Sequence, residues 1–461
     1  MTADAVVRYR AGVLERLKAY AAHDCRNDRI ECELTDAIGH TIKKRNPATP
    51  LSYVSAEKYI LAAINWLRFD RVTSFRDHFR TVDVLLVDDI TLRILYDHQL
   101  FSLQNAGGAS RYHYELARYL GSVADARVEL LLGLSGTVFP FRELASERTS
   151  VVQAESKKPP GPSRYILNEI LGNGLSLLRG KLDIYHPTLY RRMPLVRSRK
   201  IVVTHHDCVY ERFPELLRNP DRVIRAKRNS FAAADAVICV SESSRKDLVR
   251  FYGVDERKLH VIHHGLTRLG RDPAIADPFH SERPRPYVLY VGSRSPYKNF
   301  GGLLRAFAWC NLQEIFDLVA IGGGALRETE RATARELGIE KVVQVYPVGS
   351  DALLAEAYAN AELFVYPSLW EGFGFPPLEA MSLGCPVLVS NCSSLPEVCR
   401  DGATYFDPND PGSLGRSLAE AVSLKSSDSP LIARGKEVAA SYDWRRCGQQ
   451  TLELYRACLG N

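Results

Sequence analysis

Two carboxylates and two cations in the second half of the chain have the types and spacing to act together. Glu371 and Glu379 enclose seven residues that contain the run Gly-Phe-Gly-Phe-Pro-Pro. A carboxylate only accepts hydrogen bonds, so Glu379 suits a vicinal diol such as ribose and Glu371 suits sugar hydroxyls. Arg294 and Lys298 place two permanent cations in one turn, which a diphosphate leaving group requires if no metal neutralises it. Taken singly, Glu379 could instead complement a helix dipole, and Glu371, Arg294 and Lys298 could be solvated loop residues.

The elements around the glutamates predict an anion-binding turn. Residues 361–368 form a short apolar run typical of a strand, and a glycine loop and a run of helix-forming residues follow. Pro376 and Pro377 fit the first helical positions, where a missing N–H costs nothing. The helix start would direct unpaired N–H groups, with those of Gly374 and Phe375, at a phosphate beyond the strand.

A second strand, turn and helix position the cations. Residues 286–308 predict a buried strand, a turn that opens at Gly292 and an amphipathic helix, with Arg294 and Lys298 in the mouth of the turn. The chain has no Asp-x-Asp and no His or Cys cluster with ligand spacing, so the sequence predicts no catalytic metal and no other cofactor.

Ordered motifs make the chain resemble the retaining glycosyltransferases of family 4, which have the GT-B fold. The second half contains YVGSRSPYKNF, PSLWEGFGFPPLEAMSLGCPVLVSN and LPEVCRDGATYFDPND. The first half contains DHQLFSLQNAGGASRYHYELARYL, IYHPTLY, VVTHHDCVYERFPE and ICVSESSRKDL. The resemblance extends over about residues 91–455, and the double-glutamate motif is the most specific of the motifs.

The resemblance implies a role for each matching residue. In such enzymes the cations matching Arg294 and Lys298 bind the donor diphosphate, the glutamate matching Glu379 binds the nucleotide ribose, and that matching Glu371 contacts the donor sugar. The implied catalytic residues are His206, Glu371, Arg294 and Lys298. The implied donor-binding residues are Gly108, Arg294, Lys298, Val348, Glu371, Gly372, Phe373, Gly374, Phe375 and Glu379.

The first half offers two histidines for one role. His206, directly before Asp207, matches a histidine that reaches the transferred sugar, and His205 is the adjacent alternative. Without the surrounding motifs, either would be read as a satisfied core histidine. Gly108 matches a loop that lines the cleft near the phosphates and acceptor, while Arg111, on the helix that follows, is assigned no role.

Alternating strands and helices predict an α/β protein with two Rossmann-like parallel-sheet domains that face each other across a cleft. A helical N-terminal extension of unknown role precedes them. The predicted boundaries are 1–90 for the extension, 91–270 for the acceptor domain, 271–286 for the linker and 287–445 for the donor domain. The resemblance implies that a helix over 446–461 returns to the first domain.

Composition sets further bounds. The 461 residues are 46% hydrophobic and 25% charged, which is ordinary for a soluble globular protein. The absence of long apolar runs and of a signal-peptide core predicts a cytoplasmic protein with reduced cysteines. A net charge of +6 without a nucleic-acid motif argues against nucleic-acid binding. Apolar and basic residues alternate over 163–182, which favours peripheral contact with the inner membrane face.

The sequence therefore predicts a metal-independent, retaining hexosyltransferase of polysaccharide biosynthesis. Its donor would be GDP-mannose or a UDP-sugar, and its acceptor a glycan or lipid-linked glycan. The base, sugar and acceptor stay open, because base contacts near residues 346–348 would be largely backbone. Two alternatives remain: a sugar-nucleotide epimerase, and a catalytically silent scaffold that binds a partner through its N-terminal extension.

Overall fold

The computed structural model describes residues 92–155, 161, 164–165, 167–169, 182–190, 196–271, 285–347, 349–410, 412–422, 424 and 429–460. All of them belong to one compact unit, Thr73–Asn461. The predicted helical extension, most of the predicted linker and most of the predicted membrane-contact segment lie outside the described residues.

Seven parallel strands form the first sheet, in the order β3-β2-β1-β4-β5-β6-β7. Their central residues are short apolar runs with buried side chains, such as AVIC in β6. Runs of this kind are typical of parallel strands that helices cover on both faces. The strands are β1 (Leu92–Tyr96), β2 (Ala126–Ser135), β3 (Thr149–Glu155), β4 (Leu182–His186), β5 (Ser198–His205), β6 (Ala236–Cys239) and β7 (Leu259–Val261).

Six parallel strands form the second sheet, in the order β10-β9-β8-β11-β12-β13. The strands at its centre, YVLYV and LFVY, are buried throughout. The strands are β8 (Tyr287–Val291), β9 (Asp317–Ile321), β10 (Val343–Tyr346), β11 (Leu363–Tyr366), β12 (Val387–Ser390) and β13 (Thr404–Phe406).

Helices connect the strands in both halves. Those of the first half are α1 (Gln99–Leu103), α2 (Gly108–Ser122), α3 (Val209–Arg212), α4 (Pro220–Ala233) and α5 (Glu242–Tyr252). Those that follow are α6 (Phe300–Trp309), α7 (Glu328–Glu336), α8 (Asp351–Asn360), α9 (Phe375–Ser382), α10 (Leu395–Cys399), α11 (Ser413–Ala421), α12 (Pro430–Ala440) and α13 (Trp444–Leu459). Both sheets follow the doubly wound pattern, so the prediction of two Rossmann-like domains is confirmed.

The last helix packs against the first sheet. Trp444, Cys447 and Tyr455 of α13 belong to the same apolar cluster as residues of β1 and α2. The hydroxyl of Tyr455 lies 2.9 Å from that of Tyr96 and 2.5 Å from Nδ1 of His186. The preceding helix, α12, packs with the second sheet instead. The chain therefore crosses between the two halves a second time, between α12 and α13.

Candidate active site

The loop between β11 and α9 carries the two glutamates. The strand ends at Tyr366, and the helix begins at Phe375 with proline in its first positions, as the sequence predicts. Gly374 precedes the helix with a φ of 102°, a left-handed conformation that favours glycine. Pro376 and Pro377 have no N–H, so the backbone donors at this helix start, beyond the carboxyl end of β11, are the N–H groups of Gly374 and Phe375.

Glu379 lies inside α9 and is held by a tyrosine. It is 9% exposed, and its Oε2 accepts a hydrogen bond from the hydroxyl of Tyr358 at 3.0 Å. Burial raises the pKa of Glu379, and the positive charge of Arg111 partly offsets that rise. One oxygen of the carboxylate is thus fixed by the fold of the second half alone.

Lys298 and Glu371 form an ion pair with each other. Nζ of Lys298 lies 2.5 Å from Oε1 of Glu371 and donates to the hydroxyl of Tyr366 at 3.0 Å. The two charged side chains are only 13% and 11% exposed. Burial alone would lower the pKa of Lys298, but the carboxylate of Glu371 and neighbouring tyrosines raise it well above its usual value. Lys298 therefore carries its charge at physiological pH.

Arg294 differs from the expectation of two cations side by side in the mouth of the turn. Its residue exposure is 2%, and its guanidinium donates to Glu330 at 3.1 Å and to four consecutive carbonyls of residues 322–325. Three glycines in this loop have positive φ, a conformation that turns their carbonyls toward one point. Arg294 consequently holds the glycine loop, and Lys298 is the cation that pairs with Glu371.

The two candidate histidines have different surroundings. His205 is fully buried, with Nδ1 3.2 Å from the hydroxyl of Tyr190 and Nε2 3.4 Å from Sγ of Cys208. Nε2 of His206 is buried and has no hydrogen-bond partner within the described part of the chain. Burial lowers the pKa of His206 to about 4, so its ring is neutral at pH 7. The geometry favours His206 as the histidine that can still bind a ligand.

The turn that follows β5 meets the glycine loop before α9, and we call this contact the seam (residues 205–207 against 371–375). A Cβ atom on Gly372 would lie 1.6 Å from the carbonyl oxygen of His206. The carbonyl of Gly372 also accepts a hydrogen bond from Ser241 at 2.7 Å. Only glycine fits at this position, because the two halves of the molecule touch there backbone to backbone.

The other predicted loop residues line the same region. A Cβ on Gly108, at the start of α2, would lie 3.0 Å from the ring of Phe375, so the glycine loop of the first half reaches the helix start of the second. Phe373 is 5% exposed and packs edge-on against Phe375 and His264. Phe373 therefore serves the packing of the loop, while Val348 lies outside the described residues.

Arg111 is a residue to which the sequence assigned no role. It lies in the first turn of α2, and its guanidinium makes a bidentate ion pair with Asp351 at the start of α8, with the shortest distance 2.9 Å. The charge of Asp351 raises the pKa of Arg111 against the effect of burial, and Glu379 adds to this rise. A cation from the first half thus lies near Glu379. The sequence signal that could have identified Arg111 as a site residue is its place in the same helical turn as Gly108.

The described residues offer neither a metal-binding cluster nor a membrane-spanning helix. They contain no group of three or more His, Cys, Asp or Glu residues arranged to hold a metal ion. Among the same residues, no helix has the length and apolarity needed to cross a bilayer.

Family models match both halves of the chain. Residues 106–267 match the model described as Glycosyltransferase Family 4, and residues 274–438 match that described as Glycosyl transferases group 1. A third model, described as the bacterial DnaA ATPase domain, matches residues 31–104. Of that third stretch, the structure describes only the part that contains β1 and α1.

Three similar proteins align with 50% to 59% of this chain, at identities of 26% to 31%. O-antigen chain mannosyltransferase B of Escherichia coli is 31% identical over 285 residues, 59% of this chain and 74% of that protein. Alpha-maltose-1-phosphate synthase of Mycolicibacterium smegmatis is 31% identical over 256 residues, 50% of this chain and 65% of that protein. O-antigen chain mannosyltransferase RfbU of Salmonella typhimurium is 26% identical over 258 residues, with coverages of 56% and 69%.

Solved structures share the fold at lower identity. Sucrose-phosphate synthase from Thermosynechococcus elongatus has a TM-score of 0.62 at 18% identity, over 80% of this chain and 99% of that one. Anabaena HepE in complex with UDP and glucose has a TM-score of 0.61 at 19% identity, over 79% and 100% of the two chains. With the family-model matches and the E. coli relative, these similarities establish that the chain belongs to glycosyltransferase family 4, has the GT-B fold and is a glycosyltransferase.

Proposed function

We propose that this glycosyltransferase moves a hexose, with retention of configuration and without a metal ion, from a nucleotide-diphosphate sugar to a glycan. The observation that carries the proposal is the buried pair of Lys298 and Glu371, of which Glu371 belongs to the seam. GDP-mannose is the first candidate donor because two of the similar proteins are named as mannosyltransferases, and UDP-sugars are the alternative. A growing polysaccharide or lipid-linked glycan is the acceptor we favour, since both are O-antigen chain enzymes by name.

Leaving-group stabilisation is the main catalytic effect in this proposal. The bond from the anomeric carbon to the diphosphate breaks, and its electrons stay on the diphosphate oxygen. Lys298 and the N–H groups at the start of α9 stabilise the charge that develops there. The acceptor oxygen bonds to the anomeric carbon on the face from which the diphosphate departs, and its proton passes to the diphosphate.

The remaining site residues bind and orient the donor. Glu379, held by Tyr358, accepts hydrogen bonds from the ribose hydroxyls. When a phosphate oxygen of the donor binds Lys298 in place of Glu371, the carboxylate of Glu371 accepts hydrogen bonds from sugar hydroxyls. The neutral ring of His206 offers Nε2 to the transferred sugar. Arg294 supports the reaction indirectly, because it fixes the glycine loop of residues 322–325 beyond β9.

A thermal-shift panel tests the donor site. GDP, UDP, ADP and their sugars are added to wild type, Glu379→Gln and the control Glu437→Gln on the exposed side of α12, once with EDTA and once with Mg²⁺. A ligand that binds only the folded protein raises its melting temperature by mass action. We expect one nucleotide family to stabilise wild type and the control but not Glu379→Gln. No shift with any nucleotide would refute the assigned donor site, and a shift that needs Mg²⁺ would refute metal independence.

Turnover tests the catalytic part. With the nucleotide sugar that binds, Lys298→Met should lower kcat by on the order of 10²-fold, the usual cost of removing one donor to the developing charge. The NMR spectrum of the product should show the transferred sugar with the same anomeric configuration as in the donor. Undiminished turnover in the variant, or an inverted product, contradicts the mechanism.

A further inference from the structure

A tyrosine lies between the catalytic pair and the first half of the molecule. Tyr297 directly precedes Lys298 in a short 3-10 turn, Pro296–Lys298, and is half-buried. Burial raises the pKa of Tyr297 to about 12, with the charge of Lys298 acting against the rise and the carboxylates of Glu371 and Asp207 adding to it. The phenol therefore stands within electrostatic range of ionisable groups from both sides of the cleft.

The ring of Tyr297 has a parallel neighbour from the opposite side. Phe213 follows α3 in the first half, and its ring is inclined by only 15° to that of Tyr297, with 6.4 Å between the centroids. Both residues are half-buried, so each keeps part of its surface open. We call Phe213 and Tyr297 the aromatic pair.

The surrounding loops hold the aromatic pair in place. The backbone carbonyl of Tyr297 accepts a hydrogen bond from the N–H of Leu369 at 2.7 Å, which ties its turn to the loop that carries Glu371. Trp370 lies in that same loop, and its ring centroid is 3.3 Å from the guanidinium carbon of Arg212, at the end of α3. Arg212 is itself anchored to Asp247 at 2.5 Å. The two loops therefore have little freedom to separate the rings.

A carboxylate completes the arrangement. The side chain of Asp207 is 40% exposed, and its Oδ1 accepts from the backbone N–H of Val209 at 3.1 Å. On the other side of this turn, the buried ammonium of Lys227 donates to the carbonyl of Asp207 at 2.7 Å and lies 3.0 Å from Glu211. Asp207 thus presents a firmly placed acceptor, and its charge acts on Tyr297 of the aromatic pair.

We propose that Phe213, Tyr297 and Asp207 form the acceptor subsite and that its occupant is a pyranose ring of a glycan. A pyranose has an apolar C–H face and a rim of hydroxyl donors. Sites that combine aromatic faces with a few placed polar groups suit such a shape. The position beside Lys298 and Glu371 is where the acceptor must lie if the proposed function is right, and the inference rests on that function.

Saturation-transfer NMR with simple glycosides tests the subsite directly. The probes are the methyl α-pyranosides of mannose, glucose and galactose, added at millimolar concentration to the full chain with the stabilising nucleoside diphosphate present. Wild type is compared with Phe213→Ala, Tyr297→Phe and Trp309→Ala. Trp309 is 65% exposed on α6 and is the control for loss of an aromatic side chain outside the subsite.

We expect at least one glycoside to receive saturation in wild type, in the control and in Tyr297→Phe, which keeps its ring. The signal in Phe213→Ala should fall about fivefold, the scale of one aromatic contact. Unchanged transfer in Phe213→Ala overturns the proposal, and so does no transfer from any of the three probes. The nucleotide-induced rise in melting temperature should persist in Phe213→Ala, so loss of the acceptor subsite can be told from loss of the donor site.

Discussion

The ion pair of Lys298 and Glu371 should make a large contribution to the stability of the second half of the molecule. Removing one partner of a buried pair leaves an uncompensated charge, which costs about 3–5 kcal/mol. Because the side chains keep 13% and 11% exposure, we take the lower value, about 3 kcal/mol. For a domain of about 150 residues, each kcal/mol lowers Tm by about 2–4 °C, so Lys298→Met or Glu371→Gln should lower it by about 6–12 °C.

A double-mutant cycle separates the pair from the individual side chains. The variant Lys298→Met/Glu371→Gln removes both charges and should melt above at least one of the single variants, with a coupling of about 0.5–3 kcal/mol. Differential scanning calorimetry at pH 7 supplies the measurement, and Lys341→Met, at an exposed lysine, is the control. Single variants that melt within about 2 °C of wild type, or strictly additive losses, would refute the assignment of a coupled buried pair.

Two further predictions concern contacts between the halves. Gly372→Ala should force the seam apart, because its Cβ would lie 1.6 Å from the carbonyl oxygen of His206; we expect about 1–3 kcal/mol of destabilisation and a loss of turnover. In the control Gly270→Ala, the new Cβ would meet nothing within 4 Å, so this variant should match wild type in melting temperature and in turnover. Equal behaviour of the two variants would contradict the close backbone contact at the seam. The carboxylate of Glu397 accepts hydrogen bonds from the ring of His263 at 2.6 Å and from a backbone N–H at the start of α5. Burial would raise the pKa of Glu397, but these hydrogen bonds lower it below the usual 4.5. A carboxyl group whose pKa is lower in the folded than in the unfolded state stabilises the fold at pH values above its unfolded-state pKa. The Tm advantage of wild type over Glu397→Gln should therefore be complete at pH 7 and shrink below pH 4.5. An advantage that grows on acidification would contradict this assignment.

The local elements could be predicted from the sequence because their signals are local. Apolar runs such as YVLYV and LFVY are short and bounded by turn residues, which is typical of buried parallel strands. The prolines after Phe375 mark a helix start without any tertiary information. The glycines and glutamates of this loop could therefore be placed at one strand end before the structure was known.

The partners of the charged residues could not be predicted in the same way. Lys298 pairs with a glutamate 73 positions away, and Arg294 turns to the carbonyls of a loop after β9. Both outcomes depend on how neighbouring strands align, which no local pattern encodes. The requirement for glycine at position 372 comes from His206 in the other half, and Arg111 finds Asp351 only when the halves meet.

The packing of α13 against the first sheet links the folding of the two halves. The hydroxyls of Tyr96 and Tyr455 are in contact although 359 positions separate them, and Trp444 completes the same apolar cluster. Contacts of such long range form late, because the entropy of closing the loop must be overcome first. During synthesis the first sheet would leave the ribosome with part of its core exposed, and it would stay aggregation-prone until α13 emerged. We therefore expect the second sheet to become protected from hydrogen exchange before the first during refolding, an order opposite to that in which the two are translated.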